Sequence, residues 1–225
     1  MKLVFSITVH ECYLAVADLI KNIKFFNPQC GVVIHVNSSC GGLFDDIKSC
    51  IIEQPEYENV FLNTSRFDTS KSSFSLHRAH ISNYKYLLGL GVSFEYFVLE
   101  ASNSLYVRSG AYDYVRSFDL GIGRGAINQY WKDAILNHNV LQEFVLKTTG
   151  KDKALSEQPL KGCHEGSFYS YEMAQKVFKL TEELDWISLE NNDLPTYPTE
   201  EIWFQLAVLV LNENHKLRVG NTLTY

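Results

Sequence analysis

Polar side chains that could bind a ligand follow a strongly apolar stretch near the middle of the chain. Residues 94–99 are rich in aromatic and aliphatic side chains, which predicts a buried strand. Glu100, Ser102 and Asn103 come directly after it. Because ligands of open α/β sheets bind beyond the carboxyl ends of the strands, we expect these residues to contact a ligand. The alternative interpretation is a turn with a helix cap.

Two acidic side chains lie at the predicted start of a later helix. Thr199 is a typical N-cap residue for the apolar helix predicted over 200–211, so Glu200 and Glu201 fall in its first turn. Free backbone N–H groups and the helix dipole favour the carboxylate form there, and a carboxylate can act as a general base. Adjacent side chains on a helix point in different directions, so only one of the two can face a given ligand. The alternative is that both are ordinary helix-start residues.

The elements that must position these residues show an α/β pattern. Residues 2–9 and 31–36 predict buried strands, and the amphipathic segment 13–26 predicts a helix between them. Such a βαβ unit has parallel strands and a right-handed crossover, which brings Val9 and Asn37 to the same edge of the sheet. The glycines nearby form neither GxGxxG nor GxxxxGK[ST], so the usual dinucleotide and P-loop motifs are absent.

The remaining segments continue this alternation less regularly. Further helices are predicted over 45–53, 74–89, 112–118, 131–147 and 172–184, a strand over 59–62, and a loop entering a strand over 164–171. Gly121, Gly123 and Gly125 predict a flexible loop. We therefore expect an α/β fold with a mostly parallel central sheet flanked by helices.

Composition and charge narrow the classes of function. With 225 residues, of which 46% are hydrophobic, the chain can build one sizeable domain. A net charge of -6 and a pI of about 5.6 argue against a nucleic-acid module, which normally has a basic surface. The five cysteines are odd in number and include no CxxC, so no disulfide framework or zinc site is predicted. Because no apolar run is long enough for a signal peptide or a membrane span, we expect a cytoplasmic protein without a transmembrane segment. Peripheral membrane contact stays open.

Four short segments, in a consistent order, resemble one family of enzymes. They read SITVHE (6–11), VVIHVN (32–37), HEGSFYSYEMAQKV (164–177) and PTEEIWFQ (198–205), and the helix and strand over 74–108 lie between the second and the third. Together they resemble the core-2/I-branching N-acetylglucosaminyltransferases and the related peptide xylosyltransferases, which are inverting glycosyltransferases of GT-A fold. The match covers roughly residues 2–115 and 162–218. Two departures are Asn37 in place of the aspartate of IHVD, and Phe74 in place of a frequent tryptophan.

The resemblance implies a GT-A-like, Rossmann-like α/β fold in a single domain, 1–225. Its donor-nucleotide half would be about 1–115, and its acceptor and catalytic-base half about 116–225. The implied reaction moves a sugar from a UDP-linked or other nucleoside-diphosphate sugar to a hydroxyl of a glycan acceptor by direct displacement. The alternative is a non-catalytic domain of the same fold that binds nucleotide sugars or carbohydrates.

The PDE-like segment of the resemblance implies Glu201 as the catalytic base, with Glu200 as the second choice. Contacts with the donor nucleoside are expected from the ends of the first strands, at Val9, His10 and Asn37. Further donor candidates are Arg66, Ser75 and Arg78 near the phosphates or sugar, and Glu100 and Asn103 after the buried strand over 94–99. Acceptor contacts are implied for Glu165, Gly166, Ser167 and Trp203.

The departing nucleoside diphosphate needs either a divalent metal or fixed cations to stabilise its charge. The resembled family works without metal and uses basic residues that match Lys216 and Arg218. We therefore expect that no cofactor is required. The alternatives are Mn²⁺ or Mg²⁺ held by Glu100 and Asn103, with Lys216 and Arg218 as part of a solvated charged segment.

Overall fold

A seven-stranded sheet forms the centre of the part of the chain that the structure describes. The computed structural model describes residues 1–70, 74–123, 125–126, 142–143, 146, 161–162, 165–182, 211 and 217–223. The strands are β1 (Leu3–Val9), β2 (Gly31–Val36), β3 (Val60–Leu62), β4 (Tyr96–Ala101), β5 (Leu120–Ile122), β6 (Gly125–Ala126), β7 (Lys161–Gly162), β8 (Phe168–Ser170) and β9 (Val219–Asn221). Strands β6 and β7 form a separate antiparallel pair.

The strand order of the large sheet is β3-β2-β1-β4-β8-β5-β9. Strands β1 to β4 pair in parallel with one another, and β5 pairs in parallel with β9. Strand β8 is antiparallel to both of its neighbours, β4 and β5. Because β8 is antiparallel to both neighbours, β5 runs in the same direction as β4. All the strands of this sheet except β8 are therefore parallel to one another. The predicted mostly parallel α/β fold is therefore confirmed.

Helices pack on both faces of this sheet. They are α1 (Tyr13–Phe26), α2 (Gly41–Ile47), α3 (Ser75–Gly89), α4 (Ala111–Val115) and α5 (Tyr171–Glu182), with a π-helical turn at Lys48–Ile52 and a 3₁₀ turn at Pro55–Tyr57. The apolar residues of α1 recur at helical spacing, and those at Val16, Ile20 and Ile23 are fully enclosed. No described helix combines the length and the apolar character that crossing a membrane requires.

Two hydrophobic clusters cover the two faces, because successive strand residues point to opposite sides. Val33 and Phe97 join the cluster that includes Leu87 of α3 and Phe178 of α5. On the other face, Ile34 and Val98 join residues of α1. The strands are thus buried on both sides, as their almost continuous apolar sequences indicate.

Several predicted boundaries need correction. Strand β4 continues to Ala101, two residues past the predicted end, so Glu100 lies inside the strand. Gly121 belongs to β5 and not to a loop. A Cβ atom at this position would come within 2.1 Å of the Phe168 ring, so the residue is required by close packing between β5 and β8. The predicted helix over 131–147 falls mostly outside the described residues.

Candidate functional site

The carboxyl ends of three parallel strands meet at one edge of the sheet. Val9 pairs with Val36, and Thr8 pairs with Ala101, so the residues that follow β1, β2 and β4 are neighbours along that edge. Strand β8 begins at the same place, since the Leu99 N–H donates to the Ser167 carbonyl at 2.8 Å. Predicted donor residues and predicted acceptor residues therefore lie on the same edge.

An open groove of about 790 Å³ lies beyond the end of β4. Its walls come from the turn over 103–111, from Glu165 ahead of β8, and from Thr222 after β9. The groove brings Asn103, a predicted donor residue, together with Glu165, a predicted acceptor residue. Arg108, Tyr114 and Thr222 also line it and were missed by the sequence analysis, because only the tertiary fold places them there.

Gly166 and Ser167, the two residues that follow Glu165, are buried. Gly166 has a positive φ of 71°, a conformation that favours glycine, and its N–H donates to the Leu99 carbonyl at 2.7 Å. The Leu223 N–H donates to the Gly166 carbonyl at 2.8 Å, which fixes the segment after β9 against this turn. Among these predicted acceptor residues, Glu165 is the exposed one.

Glu100 is a buried residue and not the open strand-end ligand that was predicted. Its side chain is 1% exposed, and it accepts a hydrogen bond from the Tyr106 hydroxyl at 2.6 Å. Burial raises the pKa of Glu100, although the hydrogen bonds from Tyr106 and Ser104 act in the opposite direction. A metal ion needs an accessible, ionised carboxylate, so this environment does not fit the predicted metal ligand. Within the described ranges, no group of three or more His, Cys, Asp or Glu side chains is arranged to hold a metal.

Glu11 connects the ends of β1 and β4. The Ser102 hydroxyl donates to Glu11 Oε1 at 2.5 Å, and the His10 backbone N–H donates to Oε2 at 3.1 Å. Burial opposes ionisation of Glu11, but these hydrogen bonds outweigh it and lower the pKa of the carboxyl. The predicted donor residue Val9 is buried beside them, whereas the His10 side chain is exposed. The position of Glu11, directly after a strand, was the signal that could have identified it.

Asn37 holds down a segment that crosses the end of β2, which we call the strap and define as residues 66–69. The Asn37 side-chain amide donates to the Thr69 carbonyl at 2.8 Å. Its Oδ1 accepts from the backbone N–H of Ser39 at 3.1 Å and from the Ser39 hydroxyl at 2.9 Å. The polar atoms of the Asn37 side chain are therefore engaged in holding the strap and the turn.

Two more predicted donor residues contact the strap or form part of it. The Arg66 guanidinium donates to the carbonyls of Asn37 at 3.1 Å and of Ser38 at 3.2 Å, and it lies over the Phe44 ring. The Arg78 guanidinium lies 4.9 Å from the centroid of the Phe67 ring.

Another predicted donor residue lies just beyond the strap. The Ser75 hydroxyl accepts a hydrogen bond from the Ser70 N–H at 2.8 Å. Ser75, Arg66 and Arg78 thus help to fix the segment that covers the end of β2.

A buried polar network supports the start of this segment. His80 Nδ1 and the Ser6 hydroxyl are 2.8 Å apart, and Asn83 Nδ2 donates to the same hydroxyl at 3.0 Å. Asn63 Nδ2 donates to Asn83 Oδ1 at 3.0 Å, and Asn63 Oδ1 accepts from the Ser65 N–H at 2.9 Å. The network links helix α3 to the three residues that precede the strap.

His35 lies under the strap and was not selected by the sequence analysis. Its side chain is 0% exposed, and neither ring nitrogen has a hydrogen-bond partner among the described residues. The ring packs against Phe67 with a centroid distance of 4.5 Å. Burial, and then the charge of Arg66, lower the pKa of His35 to about 4, so the imidazole is neutral. A polar residue within the aliphatic sequence VVIHV was its only signal.

Arg218 is placed at the opposite edge of the sheet, which corrects its predicted role in stabilising the leaving group. Its Nη2 lies 2.8 Å from Asp119 Oδ1. Arg218 immediately precedes β9, and Asp119 immediately precedes β5. Leu120 of β5 pairs with Tyr169 of β8, and Tyr169 pairs with Phe97 of β4. This register puts the ion pair level with the start of β4. The strand ends lie at the other edge, together with Asn103 and Glu165 of the groove, and Arg218 does not line the groove. Glu200, Glu201, Trp203 and Lys216 lie outside the described residues.

Similarity to characterised proteins is consistent with this arrangement. No known protein-family profile matches the chain. Over 198 residues, or 86% of its length, the chain is 27% identical to the chondroitin synthase of Pasteurella multocida strain Pm70 and, over the same extent, 29% identical to the hyaluronan synthase of Pasteurella multocida. The chain spans 20% of the length of either synthase.

Among solved structures, the nucleoside-diphosphate-sugar pyrophosphorylase of Vibrio cholerae RC9 has a similar fold. Its TM-score is 0.52 at 9% identity, covering 98% of this chain and 91% of that one. This similarity and the sheet topology confirm the predicted GT-A-like α/β fold class. The sequence similarity is to two glycosyltransferases, whereas the narrower resemblance to branching enzymes and xylosyltransferases stays a prediction.

Proposed function

We propose that this chain is a glycosyltransferase domain that moves a sugar from a nucleoside-diphosphate sugar to a hydroxyl of a glycan acceptor. One observation carries the proposal: the ends of β1, β2 and β4 meet the start of β8 at one edge, beside a groove of about 790 Å³. The sequence similarity to a chondroitin synthase and a hyaluronan synthase supports it.

Direct displacement requires the donor and the acceptor hydroxyl to lie side by side, which makes a shared groove chemically useful. Asn103 and the ends of β1 and β2 would contact the donor, and Glu165 would contact the acceptor. The groove volume lies within the range of about 300–1,000 Å³ that is usual for small-molecule sites. The groove therefore has room for the sugar and phosphates of the donor together with one terminal sugar of an acceptor.

The proposed chemistry is inverting transfer from a UDP-linked sugar, with Glu201 taking the proton from the attacking hydroxyl and Glu200 as the second choice. Fixed cations would stabilise the leaving diphosphate. Lys216 keeps this proposed role, and Arg108 becomes a further candidate because it lines the groove. No step is assigned to Mn²⁺ or Mg²⁺, since the buried Glu100 does not fit a metal ligand.

The deciding experiment incubates the chain with a panel of UDP-sugars and oligosaccharide acceptors, and measures both UDP release and transfer of a radiolabelled sugar. We expect one donor to support transfer. Glu201→Gln should lower transfer by about a hundredfold or more, a typical effect of removing a general base, while the donor still shifts the melting temperature. Glu200→Gln tests the second choice and should retain transfer, whereas loss of transfer in this variant alone would assign the base to Glu200.

Other outcomes would contradict parts of the proposal. Donor binding without transfer to any acceptor would favour the non-catalytic binding domain. Loss of transfer in EDTA that Mn²⁺ restores would contradict stabilisation by fixed cations. Failure of every nucleotide and nucleotide sugar to bind would overturn the proposed function itself.

A further inference from the structure

The strap covers a polar residue at the edge where the donor is proposed to bind. Strand alternation places His35 on the same face as Val33, and the Phe67 ring of the strap closes over the imidazole at 4.5 Å. His35 is two residues before Asn37, the residue that follows β2. Removing Phe67 from this position would open the imidazole toward the strand ends.

Hydrogen bonds at the end of β2 hold the strap in place, and two of the side-chain contacts, Ser38 with Asp68 and Arg66 with the Ser38 carbonyl, lie at the surface. The Ser38 hydroxyl donates to Asp68 Oδ1 at 2.6 Å, in an exposed setting. The Ser38 N–H donates to the Phe67 carbonyl at 3.2 Å. Segments of this kind, without helix or strand structure and with exposed hydrogen bonds, open at low free-energy cost.

The groups under the strap have unsatisfied hydrogen-bonding capacity. Both nitrogens of His35, and Nε of Arg66, are buried without a hydrogen-bond partner among the described residues. Buried polar atoms are normally paired, and exceptions call for an explanation such as a ligand that satisfies them. An apolar side chain would pack under Phe67 without this cost, so packing alone does not account for a histidine at this position.

We propose that the strap is a gate, and that His35 recognises the nucleobase of the donor when Phe67 moves away. This inference rests on the proposed function. A neutral imidazole offers one N–H donor and one nitrogen acceptor. A uracil edge offers a ring N–H and carbonyl oxygens, so one imidazole nitrogen, whether donor or acceptor, finds a hydrogen-bond partner there. The lowered pKa of His35 keeps the imidazole in this neutral form.

The first test replaces His35 with Phe, which preserves packing under Phe67 and removes both nitrogens. We expect the variant to be at least as stable as the wild type in thermal unfolding, and to bind UDP and uridine about tenfold more weakly by calorimetry, the effect of one lost hydrogen bond. Binding of inorganic pyrophosphate should not change. His35→Gln, which keeps a donor and an acceptor, should recover part of the UDP affinity.

The second test weakens the strap with Asp68→Ala, which removes one exposed anchor and leaves the core and His35 intact. If the closed strap competes with the nucleobase, the apparent affinity for UDP should rise several-fold, because a larger fraction of molecules is competent to bind. Asp45→Ala, an exposed aspartate of α2, is the matched control and should not change UDP affinity.

The outcomes separate this inference from the proposed function. Wild-type protein that binds UDP, together with unchanged UDP affinity in His35→Phe, would overturn nucleobase recognition by His35. Unchanged or weaker UDP binding in Asp68→Ala would overturn the gate. Absence of UDP, uridine and pyrophosphate binding in the wild type would overturn the proposed function, and the inference with it.

Discussion

The side-chain amide of Asn37 donates a hydrogen bond to the backbone carbonyl of Thr69 at 2.8 Å. The asparagine amide can make this contact and an aspartate at the same position cannot, because an ionised aspartate has no proton to donate. The asparagine that departs from the IHVD pattern of the resembled family is thus matched to a carbonyl of this chain's own strap. The asparagine at this position is therefore explained by a contact with a segment that is distant in sequence.

Asn37→Asp should destabilise the protein. The variant loses the donor to Thr69 and sets a carboxylate against a carbonyl oxygen, a change that typically costs about 1–3 kcal/mol. Urea unfolding at pH 7 measures the difference. Gln29→Glu makes the same change of charge at an exposed position, and it should stay within about 0.5 kcal/mol of the wild type. Equal effects of the two substitutions would contradict the contact.

Glu100→Gln should alter the dependence of stability on pH. Burial raises the pKa of Glu100 above its ordinary value of 4.5, so above that pH the unfolded chain releases a proton that the folded protein retains. Wild-type stability should therefore fall, relative to the variant, as pH rises from 4.5. The slope should be at most about 1.4 kcal/mol per pH unit. Urea unfolding of both proteins between pH 4.5 and 8 measures the slope.

Asp119→Asn should give the opposite dependence on pH. The hydrogen bond from Arg218 lowers the pKa of Asp119, so its contribution is present above the ordinary value of 3.8 and is lost as pH falls below it. The stability difference between wild type and variant should shrink between pH 6 and pH 2.5. Because the Arg218 side chain is 63% exposed, the difference should also shrink in 1 M NaCl. A stability difference that changes with neither pH nor salt would contradict an electrostatic origin.

Gly121→Ala should destabilise the pairing of β5 with β8. The new methyl group would come within 2.1 Å of the buried Phe168 ring, and overpacking of this kind typically costs about 1–3 kcal/mol. Gly89→Ala is the matched control, because nothing lies within 4 Å of its Cβ position at the end of α3. That substitution should be neutral or stabilising by up to about 1 kcal/mol. Chemical unfolding of both variants tests the contrast.

Much of the first half of the fold could be predicted from the sequence. Helix α1 and strand β2 have the predicted bounds, and β1 begins one residue later than predicted. These elements have long, regular apolar patterns, and neighbouring parallel strands joined by one helix can be arranged in few ways. The meeting of Val9 and Asn37 at one edge follows from that local pattern.

Short strands were harder to predict. Residues 120–122 and 219–221 have too few apolar side chains for a strand signal, and they become strands only by pairing with β8 and with each other. Their partners are distant in sequence, so no local pattern specifies the pairing. For the same reason the placement of Arg218 at the edge opposite the strand ends could not be read from its neighbours.

The sequence by itself determined the α/β class, the first strands and helix, and the edge at which polar residues collect, because these depend on periodicity and on short crossovers. Tertiary structure alone decided that Glu100 is buried against Tyr106, that Asn37 binds the strap, and that His35 lies beneath Phe67. Each of these depends on which distant segment covers a side chain. Burial and hydrogen bonding are properties of the assembled fold, so a residue's type and local spacing do not reveal them.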